Sequence, residues 1–192
     1  LSLGSIYALI ALGYTMVYGI IQLINFAHGE VLMIGAYAGY FAVTLLGLNF
    51  YVAILLAMAV SAVLGVLIER IAYKPLRNSE RLAVLITAIG MSLLLQNGAL
   101  IVFGTDFVPF PQVVPRVPYH ILGGRFVITS HQVLIFVVSI LMMVLLQYIV
   151  GYTKIGKAMR AVSYDKQAAS LMGINVDNVI SFTFVIGSSL AA

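Results

Sequence analysis

The sequence has no cysteine and no tryptophan. The first absence excludes a disulfide-stapled scaffold and a thiolate metal site. The second leaves tyrosine as the aromatic anchor at a membrane–water boundary. Charge is scarce as well: 8% of the 192 residues are charged, against about 25% in a soluble domain. So few charges do not cover a surface that faces water. Proline is confined, with four of the five at Pro109, Pro111, Pro115 and Pro118, so the long apolar runs are free of helix breakers. What fills the chain instead is 62% hydrophobic residues, with a mean hydropathy of +1.12. Its solvent is largely lipid. The net charge of +4 is not a nucleic-acid footprint, because the cations gather at the ends of apolar runs. That is where a membrane protein places them.

The chain begins at Leu1 and stops at Ala192 inside an apolar run, and is expected to be an internal piece of a longer protein. Leu1–Ile24 has no charged leading region and no clear cleavage site, so a signal peptide is not expected.

A membrane span takes about 20 helical residues, and the chain divides accordingly into about six. Leu1–Asn25 is uncharged and fits one span. Tyr7, Ala11, Tyr14 and Tyr18 fall on one face of it at helical spacing, either as a packing seam or as a wall of a substrate path. Val31–Ile68 fits two spans, with Gly47-Leu48-Asn49 as the turn. Small residues recur four apart in each: Gly35 and Gly39, then Ala57, Ser61 and Gly65. Such seams let helix backbones approach closely inside lipid. Leu82–Phe103 is a fourth span, His131–Val150 a fifth, and Val179–Ala192 begins a sixth. Between the fourth and fifth lies 104–130, where Tyr119–Leu122 and Arg125–Ile128 flank Gly123-Gly124 and suggest a hairpin.

Polar groups inside the apolar runs are few. Glu30 is the only charged residue among the first 68. It follows Asn25-Phe26-Ala27-His28-Gly29, where Asn25 can cap a helix starting at Phe26. The stretch reads either as an interfacial turn or as a helix break lining a polar pathway. Ser92 and Gln96 share a face of the fourth span, with Asn97 beside them, as interhelical glue or as substrate contacts. Tyr14, Asn25, His28, Glu30, Ser92 and Gln96 are the candidate path residues. A lone His–Glu pair makes neither a metal site nor an acid–base dyad, so no metal ligand and no catalytic residue is assigned.

Lysine and arginine set the orientation. Glu69–Arg81 carries four, 151–178 carries four, and 104–130 carries two. The positive-inside rule puts the first two in the cytoplasm and the Pro-rich loop outside. Parity then puts Asn25–Glu30 inside although it holds no Lys or Arg.

The stretch 151–178 is the longest charged, helix-prone segment. Gly151–Ala158 nearly spells the phosphate loop G-x-x-x-x-G-K-[ST]. Ala158 has no hydroxyl to offer magnesium, and the stretch follows a membrane span rather than a buried strand. It is not a nucleotide site. Two short helices fit better: Lys154–Val162, then Tyr164–Met172 capped by Ser163 and stopped by Gly173. Tyr164, Ala168, Leu171 and Met172 make one apolar stripe on the second helix. Such a helix docks in a groove of a partner or rests on lipid headgroups.

Here the text resembles a known family. Gln167-Ala168-Ala169-Ser170-Leu171-Met172-Gly173 resembles the Glu-Ala-Ala-x-x-x-Gly core of the coupling loop of ATP-binding-cassette importer permeases. Gln167 stands where many members have Glu, and the downstream half of the motif is not recognisable around Thr183–Ile186. Ile24–Tyr37, Glu69–Asn97 and Gly156–Gly187 are similar to the branched-chain amino-acid permeases, to the first of the two in that system. The resemblance implies an all-α multi-pass protein of the bacterial inner (plasma) membrane, with 1–192 as one permease domain. Segment 104–130 would be its extracytoplasmic loop and 151–178 its cytoplasmic coupling segment. It implies import of leucine, isoleucine and valine. The implied partners are a second homologous permease, two cytoplasmic ATPases and an extracytoplasmic substrate-binding protein. ATP and magnesium would sit on the ATPases and no cofactor on this chain, which is then no enzyme itself. Ser163, Tyr164, Ala168, Ala169, Leu171, Met172 and Gly173 would carry the coupling. Relatives that carry urea or short amides make the alternative substrate class. The remaining rival is an ion-coupled secondary transporter, for which Glu30 is the one coupling group the sequence offers.

Overall fold

The computed structural model describes residues 2–77, 79–113, 115, 117–121 and 126–192. The chain is a bundle of helices. Helix α1 is Ser2–Ile21, α2 is His28–Thr44, α3 is Phe50–Ile68, α4 is Arg81–Phe103 and α5 is Ser130–Tyr152. Two short helices follow, α6 at Lys154–Tyr164 and α7 at Lys166–Leu171, and then α8 at Val176–Ala191. Four helices are long and apolar enough to cross a bilayer: α1, Phe50–Tyr73, Leu82–Phe103 and α5. Helix α2 has 17 residues, and α8 has 16 up to the last residues of the sequence. At 1.5 Å per residue they rise about 24–26 Å, short of the ~30 Å hydrocarbon core.

Local chemistry explains the boundaries. Gly47 takes a positive φ of 62° in the turn after α2. Asn49 then caps α3, its side chain accepting from the Val52 N–H at 3.0 Å. The expected hairpin forms as β1 (Pro118–Ile121) and β2 (Phe126–Thr129), antiparallel with Tyr119 opposite Ile128. Its Gly123-Gly124 turn, with Leu122 and Arg125, lies outside the described residues. Helix α5 starts where the Gln132 side chain accepts from the Thr129 N–H at 3.1 Å, half of a capping box.

Helix α8 runs through the middle, packed on α3, α1, α2 and α6. The small-residue seams are what let it in. A methyl on Gly13 of α1 would fall 2.8 Å from the Gly187 carbonyl of α8, and between α2 and α3 one on Gly35 would fall 2.5 Å from Ser61 Oγ. One on Gly65 would collide with Ser188. The Gly35 and Ser61–Gly65 seams were legible in the spacing; the Gly13–Gly187 crossing was not. Large side chains close the core towards one end, where Val17, Ile21, Ile68, Tyr73, Ile180 and Phe184 are all buried. By contrast only 11% of the α5 span is buried, so most of α5 is left for lipid or for other subunits.

Three expectations about the elements change. Glu69–Arg81 is not all loop: α3 continues as a π-helical turn over Glu69–Tyr73, with Glu69, Ala72 and Tyr73 buried. A charge is tolerated there because Glu69 has partners, described below. Phe26 does not open α2, which starts at His28, and Asn25 instead accepts from the Ala27 N–H at 3.2 Å, an Asx-type turn. Tyr7 and Tyr18 are no internal seam either, since they are 61% and 49% exposed. The buried face of α1 is Gly13, Val17, Ile20 and Ile21.

Candidate functional site

Three stretches distant in sequence meet at one end of the bundle: the α1–α2 connection, the loop after α3, and 151–178. Lys166 on α7 donates to the Ile21 carbonyl at 3.1 Å. A cation at the open carbonyl end of a helix is favourable. Burial, with the Arg77 guanidinium adding to it, holds the Lys166 ammonium below its usual range. Just past Ile21 the backbone turns through Gln22, a non-glycine residue at a φ of 60°. The Tyr73 hydroxyl lies 3.2 Å both from the Ile24 carbonyl, to which it donates, and from Asn25 Oδ1. So the connection that carries no cation borrows Lys166, and parity's assignment of it to the Lys/Arg-rich side agrees with the geometry.

A charge network ties α3 to α8 at the same end. Arg77 donates to both the Glu69 and the Asp177 carboxylates. Lys74 Nζ pairs with Asp177 at 2.8 Å, and Ser181 Oγ donates to Glu69 Oε2 at 2.8 Å. Glu69 is fully buried, which the low interior dielectric makes tolerable only with such partners. Sequence reasoning counted these cations for orientation and missed their acids. The signal it had was Glu69 and Arg77, eight apart around Pro75.

Segment 151–178 turns a corner rather than cradling a phosphate. Thr153 caps α6 by accepting from the Gly156 N–H at 3.0 Å, and Arg160 donates to the Val150 and Gly151 carbonyls. The near-phosphate-loop text is thus a helix–helix junction. Ser163 is not the cap of the next helix. It lies inside α6 with its hydroxyl on the Arg160 carbonyl at 2.8 Å. Asp165 is the cap, its carboxylate accepting from the Gln167 and Ala168 N–H groups at 2.8 and 3.0 Å. One acceptor oxygen meeting two orphan donors outcompetes a hydroxyl two residues earlier. At the other end the Gly173 N–H reaches Ser170 and the Ile174 N–H reaches Ala169, with Gly173 at a φ of 81°. This is a Schellman stop, in the place expected for Gly173.

The expected stripe is exposed throughout: Tyr164, Leu171 and Met172 are 94%, 89% and 83% exposed, and Ala168 is exposed too. Tyr164 ends α6 rather than opening the next helix, because Asp165 breaks the helix to cap α7, and the buried side chain of α7 is Ala169, at 4% exposure. Large apolar groups so uncovered, flanked by charge, mark a contact surface for a protein or for a membrane face. Beside them a cleft of about 650 Å³ is lined by Lys74, Arg77, Lys166, Ser170, Leu171 and Asp177, among others.

The candidate path residues are only partly brought together. Ser92 Oγ donates to Glu30 Oε1 at 2.8 Å, joining α4 to α2. Glu30 Oε2 is buried with no partner among the described residues. Tyr14 and His28 meet edge-on, ring centroids 5.8 Å apart. Asn25 sits apart from them, under Tyr73. Gln96 is exposed and does not join Ser92, and neighbouring Asn97 bonds the Leu93 carbonyl of its own helix at 2.7 Å. Outward from Glu30 on the same face of α2, Met33, Tyr37 and Tyr40 line an open pocket of about 550 Å³, together with Thr105, Asp106, Phe107, Val108 and Phe110. Tyr37 stacks on Phe103 at 4.1 Å. An apolar cavity with a carboxylate one turn below it can take a small molecule that has an aliphatic end and a polar end.

The whole of 1–192 matches one family model, described as "Branched-chain amino acid transport system / permease component". The chain is 45% identical to the high-affinity branched-chain amino acid transport system permease protein BraD of Pseudomonas aeruginosa, over all of this chain and 66% of that protein. It is likewise 45% identical to the Escherichia coli permease protein LivH, over all of this chain and 65% of LivH. A probable branched-chain amino acid transport permease of Methanocaldococcus jannaschii is 28% identical, over 98% of this chain and 60% of that protein. The chain thus spans about two thirds of the length of the curated relatives it matches. No solved structure matches it. Packed small-residue spans, a charge-tied corner rich in Lys and Arg and a match along the full sequence agree, and the chain belongs to the branched-chain amino-acid transport permease family.

Proposed function

We propose that this chain is part of the membrane permease of an ATP-binding-cassette importer that carries leucine, isoleucine and valine across a bacterial inner membrane. One observation carries the reading: 45% identity, over the entire chain, to permeases named for that transport. The chain itself hydrolyses nothing. ATP and magnesium belong to two cytoplasmic ATPases, a second homologous permease completes the pore, and an extracytoplasmic binding protein delivers substrate.

The geometry supports a division of labour. Ala169, Gly173 and the exposed Tyr164, Leu171 and Met172 form the knob that an ATPase grips, with Ala168 on its surface. Asp165 takes the capping role. Closure of the ATPases displaces α7, and α8 receives the motion directly because only Met172–Asn175 separates the two helices. Helix α8 passes it to α1 and α3, on which it packs. Glu30 and Ser92 line the path with the α2 aromatic face above them, the carboxylate for the amino-acid ammonium and the apolar wall for its aliphatic chain. Tyr14 and His28 flank it, while Asn25 holds the α1–α2 connection under Tyr73. The β1–β2 hairpin is the landing surface for the binding protein.

The test is uptake of labelled leucine in a strain without its own branched-chain permeases, given the full-length protein and its partner subunits. ATP-dependent, saturable uptake is expected. Uptake that collapses with an uncoupler yet survives ATP removal would instead assign an ion-coupled carrier. Uptake of urea or short amides in place of leucine would reassign the substrate.

A further inference from the structure

We infer that the cleft between the loop after α3, α7 and the start of α8 seats a carboxylate side chain of the ATPase that docks on α7. This rests on the function proposed above and adds the chemistry of a second contact beside the knob. Charge within the cleft is one anion short. Lys74, Arg77 and Lys166 face two acids, Glu69 and Asp177. Both acids are already engaged, Glu69 by Arg77 and Ser181 and Asp177 by Lys74 and Arg77. Among the described residues Lys166 has only a backbone carbonyl as partner, that of Ile21. Arg77 lines the cleft with its terminal nitrogens, which already bridge Asp177 and Glu69, while its Nε is closed off from solvent. An incoming carboxylate therefore reaches Arg77 by sharing those terminal donors, and a carboxylate is the acceptor that guanidinium and ammonium groups share.

The occupant is a protein side chain rather than a lipid headgroup because of what shares the cleft. Gln167, Ser170 and Leu171 of α7 form one wall, and Leu171 is 89% exposed. Whatever covers the apolar knob also closes the cleft. A partner with an apolar socket and one acidic residue at its edge meets both needs. The pairing also gives docking a direction. The incoming carboxylate draws Lys166 away from the end of α1 and competes with Asp177 for Arg77, so engagement loosens α7 from α1 and α8 from α3 together.

The experiment is zero-length carbodiimide cross-linking of the assembled full-length transporter in nanodiscs, with the links located by mass spectrometry. Lys74 and Asp177, already paired within the chain, are the internal control. The expected result is a link from Lys166 to an Asp or Glu of the ATPase. It is lost in Lys166→Arg, which still binds ATPase, while Lys166→Met binds it about tenfold more weakly and with a flatter salt dependence. A Lys74–Asp177 link with none from Lys166 to the ATPase would overturn the inference. So would Lys166→Met binding as tightly as the parent at every salt concentration, or a photo-crosslinker at Ser170 that captures phospholipid in the assembled complex. A parent protein that binds no ATPase at all would overturn the importer reading itself, a separate failure.

Discussion

The two polar regions of this molecule are built in opposite ways. At the Lys/Arg-rich corner ion pairs tie Glu69, Lys74, Arg77 and Asp177 together, and Lys166 and Tyr73 hold the α1–α2 connection. Beside α4, among the described residues, Glu30 has one hydrogen bond, from Ser92, and its second oxygen has no partner. The first region ties α1, α3, α7 and α8 into one body. The second joins α2 to α4 by one hydrogen bond and by the stacking of Tyr37 on Phe103. Under the function proposed above, the difference follows from the work: a device that transmits movement must not give locally, and a path that opens and shuts must not be locked. A carboxylate with a spare acceptor, under an apolar cavity, is also better placed to greet a cation than one whose valences are filled.

That contrast can be broken from either side. The largest effect is expected at its hub. Arg77→Met leaves Glu69 buried without its cation, and removing one partner of a buried pair costs roughly 3–5 kcal/mol. Thermal unfolding in detergent should show a large drop, and Lys74→Met a small one, since the Lys74 and Asp177 side chains are each half exposed. Equal losses would mean that Glu69 is supported by something other than Arg77. Next is Ala169→Glu. The site is 4% exposed, so the new charge pushes α7 off its seat. ATPase stimulation by loaded binding protein should be lost while the permease still inserts; retained stimulation would separate α7 from coupling.

Glu30→Gln sharpens the other side. The amide keeps an acceptor for Ser92 and loses the charge, so leucine transport should fall at least tenfold with thermal stability moved by no more than about 1 kcal/mol, a single hydrogen bond's worth. Undiminished transport would remove Glu30 from the path. Smallest is Gly173→Ala. Nothing lies within 4 Å of where its methyl would go, so only the positive φ objects, at about 1 kcal/mol. A much larger loss, seen in the same melts, would mean that α7 is held from outside the chain.

Most of the architecture was legible because lipid forces it. Charge-poor runs of about 20 residues, small residues four apart and Lys/Arg at one end have few alternatives. Gly47, Asn49 and Gly173 announced their turns through backbone chemistry that other residues perform badly. What escaped notice depends on pairing at long range. Glu69 reads as the start of a polar loop until Arg77 and Ser181, the latter 112 residues away, arrive beside it. Ser163 and Asp165 both suit a helix cap, and only the backbone decides between them. The α1 tyrosines have helical spacing, but spacing does not say which face of α1 meets α8. The Glu30–Ser92 contact was half visible, as two polar residues in separate spans.

Because the sequence has no cysteine, one introduced thiol among these residues is unambiguous, and Leu171→Cys puts it on the most prominent part of α7. In intact cells a membrane-impermeant maleimide should leave it unlabelled. After permeabilisation it should react within minutes, and bound ATPase should block it. Labelling from outside intact cells would invert the topology and contradict the coupling role of α7.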